Sequence, residues 1–240
     1  MTRFAVIIPS TNTVVETDFW SMRAPNTSFH SGRMLIESAQ LASNADFERL
    51  LEQVDAAFDT AVASVLTAKP DHLIMGMSAP TFWGGKVGHD AFIRRAHAIS
   101  GLPVTTGSQA TRTALEFIGA RRIAVLTPYQ PIMREQIVRY YEDFGFDVTR
   151  YIDMRIASAT AIADVTESAM NAALDELAAD DVDAIVQAGT NLPMVRLAHE
   201  ATSRLGKPVV AINAATLWSA YRACQIAYQF EFPGPLPQPH

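Results

Sequence analysis

Short runs of consecutive apolar residues alternate along the chain with longer segments in which apolar residues recur every three or four positions. The short runs, each of which we expect to form a strand, are "FAVIIP", "HLIMGM", "PVTTG", "RIAVLTP", "DAIVQAG" and "PVVAIN". The longer segments, such as "ADFERLLEQVDAAFDTAVASVLTAK" and "IMREQIVRYYEDFG", have the spacing of amphipathic helices. Apolar strands that alternate with helices and lack hairpin signals such as Asn-Gly are typical of parallel sheets covered on both faces. The pattern therefore predicts an α/β fold.

Two pairs of similar stretches indicate an internal duplication. "GLPVTTGSQATRTA" begins at Gly101 and "GKPVVAINAATLWSA" begins at Gly206, and the two share Gly, Pro, Val, Ala and Thr at a constant offset. The loops "GMSAP", from Gly76, and "GTNLP", from Gly189, share a Gly, a small polar residue and a Pro in the same order. We therefore predict two similar parallel-sheet α/β halves related by pseudo-twofold symmetry, with the site in the cleft between them.

The duplication also suggests a division of the chain. We assign residues 1–118 to an N-terminal α/β half and residues 119–230 to a C-terminal α/β half, whose final helix can pack back on the first half. Residues 231–240 are rich in proline, and we expect an extended arm or a disordered tail there.

Composition and charge exclude several classes of partner. The chain has 240 residues, a formal net charge of −6 and a pI near 5.5, so it offers no basic stripe for nucleic acid. Its longest apolar runs fall well short of the roughly 20 residues of a membrane span. The single cysteine, Cys224, cannot form an intrachain disulfide, and we predict a cytoplasmic protein. A small-molecule substrate is the expected partner, and a homo-oligomer is compatible with the sequence.

The loops that follow the predicted strands are polar but uncharged. In parallel α/β sheets, ligands bind beyond the carboxyl ends of the strands, where backbone N–H groups at helix N-termini point into the crevice. The loops at those ends are residues 9–13, 76–80, 105–109, 127–129, 189–193 and 212–216. They are rich in Ser, Thr, Asn and Gly and contain no Asp, Glu, Lys or Arg. Neutral donors of this kind suit a small anion such as a carboxylate.

Three of these loops carry a family resemblance that extends over nearly the whole chain. "IIPSTNTVVE", "LTPY" and "GTNLP" resemble segments of the aspartate/glutamate racemase superfamily, in its maleate cis-trans isomerase and arylmalonate decarboxylase branch. The resemblance implies a cofactor-independent lyase or isomerase that acts on a small mono- or dicarboxylic acid through an enolate-type state. It implies substrate contacts from Ser10, Asn12, Met77, Ser78, Tyr129, Thr190 and Asn191.

The chain departs from this family at the two positions that matter most for its chemistry. The catalytic cysteines of the family would fall at Gly76 and Gly189, so both thiols are missing. We expect the two glycines to leave room for a water or a bulkier substrate. Tyr129 is then the best candidate acid, while Ser78 and Thr190 are candidate catalytic residues that could orient a water. The reaction type stays open between decarboxylation, isomerisation and hydrolysis.

Two other function classes compete with this interpretation. In a hydrolase, a water or Ser78 would attack a small cyclic imide or amide. "GMSAP" nearly matches a nucleophile elbow, and Asp181 or Asp183 followed by His199 would complete the order Ser, Asp, His. The final Pro of that loop and the helical surroundings of His199 argue against this arrangement. The third class is a non-catalytic carboxylate-binding protein. Independently of the function class, Ser78, Thr190 and Asn191 could serve only to cap the helices that follow.

We predict neither a cofactor nor a metal site. His89 and His97 lie eight residues apart on one predicted helix without a carboxylate in metal-binding spacing, and a solvated helix face is expected for both. The glycine-rich "WGGKVGH" lacks the spacing of a phosphate-binding loop.

Overall fold

The computed structural model describes residues 1–238 of the chain, which form two four-stranded parallel sheets. The strands of the first sheet are β1 (Thr2–Pro9), β2 (Thr27–Met34), β3 (His72–Met75) and β4 (Val104–Thr106). The strands of the second sheet are β5 (Arg122–Thr127), β6 (Asp147–Asp153), β7 (Ala184–Gln187) and β8 (Val209–Ala211). The strand orders, β2-β1-β3-β4 and β6-β5-β7-β8, are equivalent. The predicted α/β fold with two similar parallel-sheet halves is confirmed.

Helices connect the strands and cover the sheets. They are α1 (Val15–Ser21), α2 (Asn44–Leu66), α3 (Ala79–Phe82), α4 (Gly85–Ser100), α5 (Gly107–Ile118), α6 (Ile132–Asp143), α7 (Glu167–Leu177), α8 (Val195–Leu205) and α9 (Ile212–Ala223). A short 3₁₀ turn spans Ala161–Asp164. Among residues 1–238, no helix is long and apolar enough to cross a membrane.

Two edge strands, β2 and β6, are absent from the sequence prediction, which gave six strands where the described residues form eight. Strand β2 alternates between buried and more exposed positions, and β6 is mostly half-exposed. These two strands pair on one side only and are less covered than β4 and β8 at the opposite edges, so they need not be continuously apolar. Their polar sequences, "TSFHSGRM" and "DVTRYID", therefore lack the signal that marked the central strands.

Helices α5 and α9, one from each half, cross closely where each helix begins. A Cβ atom added to Gly107 would lie 2.6 Å from Cδ1 of Ile212 and 3.4 Å from Oγ1 of Thr216. Gly107 does not have a positive φ, so space and not backbone conformation requires a glycine here. The close crossing joins the two halves on one side of the cleft.

Helix α9 also contacts the beginning of the chain and the C-terminal segment. The hydroxyl of Tyr221 accepts a hydrogen bond from the backbone N–H of Ala24 (2.9 Å) and donates one to the carbonyl of Met22 (3.3 Å). The indole N–H of Trp218 donates to the carbonyl of Pro237 (3.2 Å), so the proline-rich segment lies against α9. Residues 239 and 240, the end of the predicted tail, lie outside the described residues.

Candidate active site

A small cavity lies between the two halves, at the carboxyl ends of β1, β3, β5 and β7. Its volume is about 30 Å³, and its lining residues are Pro9, Thr11, Asn12, Leu41, Leu50, Met77, Pro128, Tyr129, Ala159, Ile162, Thr190 and Asn191. None of these residues is an Asp, Glu, Lys, Arg or His, in line with the uncharged loops of the sequence. Any charge that develops inside must therefore be stabilised by neutral donors.

Two loop segments, residues 39–41 and 157–159, form a cover over this cavity. They pair through hydrogen bonds from the N–H of Leu41 to the carbonyl of Ala157 (2.8 Å) and from the N–H of Ala159 to the carbonyl of Ala39 (2.7 Å). The side-chain amide of Gln130 donates to the carbonyl of Leu41 (2.5 Å) and holds the cover to the loop after β5. The cavity volume of about 30 Å³ exceeds the roughly 10–15 Å³ needed to hold one water.

Ser78, Tyr129 and Ala188 form a buried hydrogen-bonded chain that joins the two halves. The hydroxyl of Ser78 lies 2.6 Å from the phenolic oxygen of Tyr129 and 2.8 Å from the carbonyl oxygen of Ala188. A carbonyl can only accept and a serine hydroxyl has one proton, so Ser78 donates to Ala188 and Tyr129 donates to Ser78. Ser78 makes no side-chain bond to cap helix α3, so the capping interpretation is wrong for this residue.

The phenol of Tyr129 is kept neutral by its surroundings. The ring is 6% exposed and packs edge-on against Phe47, with 5.3 Å between the ring centroids. Burial raises the pKa of Tyr129 to about 12, and the hydrogen bond with Ser78 offsets only part of this effect. Tyr129 therefore holds its proton at neutral pH and is suited to act as an acid.

Asparagine side chains brace the loops of the two halves against each other. Asn12 accepts two backbone N–H bonds at the start of helix α1, and its amide nitrogen lies 3.5 Å from Oγ1 of Thr190. Asn191 accepts a bond from the N–H of Thr13 (3.0 Å) and donates to the carbonyl of Ala159 (2.8 Å). Both amides are thus committed to positioning the backbone around the cavity.

The loop after β7 presents backbone N–H groups that have no protein partner. The carbonyl of Gly189 accepts from the side-chain amide of Gln187 (2.6 Å) and from the N–H of Leu192 (3.1 Å). Within the described part of the chain, the N–H groups of Thr190 and Asn191 have no hydrogen-bond acceptor. In a planar peptide unit the N–H group points away from the carbonyl group. Hydrogen bonds that hold these carbonyls in place therefore also fix the direction of the N–H groups. The loop can therefore offer preorganised donors to an anion.

The structure brings together most of the side chains predicted from the sequence. Five of the nine predicted residues line the cavity, namely Asn12, Met77, Tyr129, Thr190 and Asn191. Ser78 lies directly behind Tyr129.

Ser10 is not among the lining residues, and its hydroxyl accepts a bond from the N–H of Ile36 (3.0 Å). The lining residues that the sequence analysis did not single out include Leu41, Leu50 and Ile162, apolar side chains without a chemical signal of their own.

The expectation that Gly76 and Gly189 leave free space is wrong. A Cβ atom at Gly76 would lie 2.5 Å from Cγ2 of Ile8, and one at Gly189 would lie 2.6 Å from Cγ of Pro128. Real Cβ atoms essentially never approach other atoms so closely, and neither glycine lines the cavity. The space beside each glycine is filled by the chain itself, so it has no room for a water or a substrate group.

No cysteine side chain lines the cavity. Cys224 follows helix α9, and both burial and the nearby charge of Asp71 raise the pKa of its thiol. Asp71 precedes β3, at the amino end of the sheet, whereas the cavity lies at the carboxyl ends. The cavity therefore contains no sulfur nucleophile.

The proposed hydrolase order Ser, Asp, His does not assemble. His199 contacts the N–H of Gly234 in the C-terminal segment (3.3 Å), and Asp183 binds the backbone and side chain of Arg122 before β5. Asp181 pairs with Arg150 at the surface. Ser78 has neither a histidine nor a carboxylate as a hydrogen-bond partner, so the elbow interpretation is wrong.

His89 does not lie on a solvated face as expected. It is 5% exposed, and its Nδ1 atom lies 3.1 Å from both the carbonyl of Thr81 and the hydroxyl of Ser108. His97 is exposed, as expected. In residues 1–238, no group of three or more His, Cys, Asp or Glu side chains is placed to hold a metal ion.

The architecture and the site together define an α/β protein of two pseudo-symmetric halves with an uncharged cavity between them. Comparison with known proteins identifies the family to which it belongs. The chain belongs to the arylmalonate decarboxylase family, whose model matches residues 5–233. The predicted resemblance to the maleate isomerase and arylmalonate decarboxylase branch is confirmed.

Individual relatives represent both activities of that branch. Maleate isomerase of Nocardia farcinica is 28% identical over 242 aligned positions, covering 93% of this chain and 90% of that protein. Arylmalonate decarboxylase of Bordetella bronchiseptica is 29% identical over 151 positions, covering 62% of each chain. A structure of Nocardia farcinica maleate cis-trans isomerase, a mutant with a covalently bound succinylcysteine intermediate, has a TM-score of 0.85 at 24% identity and covers 94% of each chain. The predicted enzyme class, lyase or isomerase, is confirmed.

Proposed function

We propose that the protein decarboxylates a small dicarboxylic acid of the substituted malonate type, with its own side chains and backbone supplying the catalytic groups and without a thiol. The family and its relatives support the broader class, a lyase or isomerase of carboxylic acids. The chain of hydrogen bonds from Tyr129 through Ser78 to Ala188, beside an uncharged cavity, is the observation that carries the choice of reaction.

Decarboxylation is favoured over isomerisation because of what the cavity lacks. The maleate isomerase structure from Nocardia farcinica holds a succinylcysteine, an adduct that requires a thiol. Cys224 lies near Asp71, at the amino ends of the strands and away from the cavity. The hydroxyl of Ser78 has no neighbouring base that could remove its proton. Decarboxylation needs no nucleophile, only stabilisation of the developing negative charge and a proton donor.

The backbone donors of the loop after β7 supply the first requirement. The N–H groups of Thr190 and Asn191 can donate hydrogen bonds to the carboxylate that the product retains. These hydrogen bonds strengthen as that carboxylate gains negative charge and becomes an enediolate. The carboxylate that leaves lies among the apolar side chains of Leu41, Leu50 and Ile162, where its charge is poorly solvated. Conversion to neutral carbon dioxide relieves that cost.

Tyr129 supplies the proton. The bond between the α-carbon and the departing carboxyl group breaks, carbon dioxide leaves, and the electron pair remains on the other fragment as an enediolate. The phenolic O–H of Tyr129 then turns from Ser78 to the α-carbon and gives up its proton there, which yields the monocarboxylate and a tyrosinate. Ser78 can turn its hydroxyl proton from Ala188 to the tyrosinate, and a proton from water restores the phenol after the product leaves.

Substrate entry requires the cover to open. The enclosed volume of about 30 Å³ is far below the roughly 300–1,000 Å³ of ordinary ligand pockets. The two cover segments are loops held mainly by a few backbone bonds and by Gln130. Their closure over bound substrate would exclude water and protect the enediolate.

The proposal is tested by incubating the protein separately with phenylmalonate, methylmalonate and maleate and following products by NMR. We expect carbon dioxide and a monocarboxylate from at least one malonate, and no fumarate from maleate. Incubation of succinimide and hydantoin in ¹⁸O-labelled water is the matched test for a hydrolase, which must place the label in its product. Turnover only in the labelled reactions, or binding without turnover in all of them, would contradict the proposal.

A further inference from the structure

We propose that Asn213 and Asp18 form a positioning pair that fixes the peptide unit between Thr190 and Asn191. This inference rests on the proposed function, because that peptide unit carries one of the N–H donors assigned to the substrate carboxylate. Neither residue lines the cavity, and neither belongs to the loops that the resemblance marked as substrate contacts.

One amide nitrogen holds the pair and the loop together. The Nδ2 atom of Asn213 donates to the carbonyl oxygen of Thr190 (2.9 Å) and to Oδ2 of Asp18 (2.7 Å). Asn213 is 3% exposed, at the start of helix α9, and Asp18 lies on helix α1 of the other half. Both protons of this amide are thus used, one for the loop and one for the carboxylate.

The carboxylate of Asp18 decides which way the amide of Asn213 faces. A carboxylate and a carbonyl are both acceptors, so only the nitrogen of Asn213 can face them while Asp18 is ionised. A protonated Asp18 can instead donate to the amide oxygen of Asn213 after a flip of the amide. The carbonyl of Thr190 then loses its donor, and the N–H of Asn191 in the same peptide unit is no longer held in place.

The surroundings of Asp18 make this change accessible near neutral pH. Burial raises the pKa of Asp18 to about 7, and the bond from Asn213 offsets part of that effect. Asp18 lines a surface pocket of about 430 Å³ together with Glu167 and Arg196, so protons can reach it without entering the active-site cavity.

The charged and titratable groups in the pocket of Asp18, on its own helix and on the two elements packed against that helix have partners of their own. Arg196 pairs with Glu167 and with Glu200. On α1 and the neighbouring strand β2, Glu16 pairs with Arg33, and His30 contacts the hydroxyl of Ser28. On α9, Arg222 lies over the ring of Trp218. Asn213 is therefore the hydrogen-bond partner through which Asp18 acts on the site.

The first test needs no turnover. In ¹⁵N-labelled protein, we expect the side-chain amide of Asn213 and the backbone amide of Asn191 to shift together with a midpoint near pH 7. Both shifts should vanish in Asp18→Asn and persist in Asp180→Asn, an exposed control. A shift of Asn213 without one of Asn191, or titration that survives in Asp18→Asn, would overturn the proposal.

The second test measures how substitutions of Asp18 and Asn213 change the rate at which the protein decarboxylates its malonate substrate. We expect Asp18→Ala and Asn213→Ala to lower kcat by about tenfold or more with a smaller change in KM, because the donor strengthens in the transition state. Asp18→Asn should keep kcat at pH 8 within about threefold and lose the inflection near pH 7. Unchanged kcat in both alanine variants would contradict the positioning role. If no malonate is turned over but the amides titrate as described, the proposed function fails and the positioning pair stands.

Discussion

At the scale of single residues, the polar part of the site could be predicted from the sequence and the space around it could not. Ser78, Tyr129 and Thr190 follow central strands whose apolar pattern is unambiguous, and parallel topology brings such positions together. The free space expected beside Gly76 and Gly189 depended on which side chains pack there, which no local pattern specifies. Ile8 and Pro128 fill those positions.

Gly189 is expected to be intolerant of any side chain. Gly189→Ala would place its methyl group against the rigid ring of Pro128, and overpacking of this kind costs about 1–3 kcal/mol. Urea denaturation should show this loss in the free energy of unfolding. The double variant Gly189→Ala with Pro128→Ala removes the obstructing ring atoms and should be more stable than the sum of the two single effects predicts. Strict additivity would show that Pro128 is not the obstacle.

Asp18 is expected to make stability depend on pH. In the unfolded chain its carboxyl titrates near the ordinary value of 3.8, and in the folded protein near 7. Between these values the folded protein binds more protons, so the contribution of Asp18 to the free energy of unfolding falls as pH rises from about 4 to about 7 and stays lower above that.

Asp18→Asn cannot ionise and should therefore raise Tm at pH 8 but not at pH 4. Each kcal/mol of added free energy of unfolding raises Tm by roughly 2–4 °C for a protein of this size. Thermal unfolding at the two pH values, with Asp180→Asn as the exposed control, measures the difference. An equal shift at both pH values would show that the effect does not come from ionisation.

At the scale of elements, the four central strands, the buried edge strands β4 and β8 and the long helices were evident from periodicity, whereas β2 and β6 were not. A strand buried on both faces must be apolar throughout, and that requirement produces the signal. Edge strands are held by backbone pairing to one neighbour; β2, for example, pairs with β1 in register from Thr2 with Thr27 to Pro9 with Met34. Pairing through the backbone leaves their side chains less constrained, so their sequences resemble loops.

The crossing of helices α5 and α9 gives a prediction at this scale. Gly107→Ala should destabilise the protein by about 1–3 kcal/mol, because its methyl group would overlap the side chain of Ile212. Denaturant titration of Gly107→Ala, Ile212→Ala and the double variant forms a cycle in which the double variant should lose less than the sum of the singles. If the losses of the two single variants simply add in the double variant, Ile212 is not the side chain that obstructs a methyl group at Gly107.

At the scale of the whole molecule, the two cover segments pair with each other over the cavity between the halves. The cover could not be predicted from the sequence, because residues 39–41 and 157–159 are more than one hundred positions apart and carry no shared motif. Only the relative placement of the halves brings them together.

Gln130 is expected to control how often the cover opens. Gln130→Leu removes the hydrogen bonds to the carbonyls of Leu41 and Ile156 (2.5 and 3.4 Å), so hydrogen exchange should accelerate at the amides of the cover and not in the core strands. Gln229→Leu, an exposed position in the C-terminal segment, serves as the control. Exchange in the cover that equals that of the unaltered protein would show that Gln130 does not hold it closed.

The central claim, that Tyr129 and not a thiol delivers the proton, is tested most directly by decarboxylation of phenylmalonate in D₂O. We predict one deuterium at the α-carbon of the product, a loss of about 100-fold or more in kcat for Tyr129→Phe, and unchanged kcat for Cys224→Ser and for Tyr228→Phe. Because the pKa of Tyr129 is about 12, no decline in activity from its ionisation is expected below about pH 11. Full activity in Tyr129→Phe, or loss of activity in Cys224→Ser, would contradict the account.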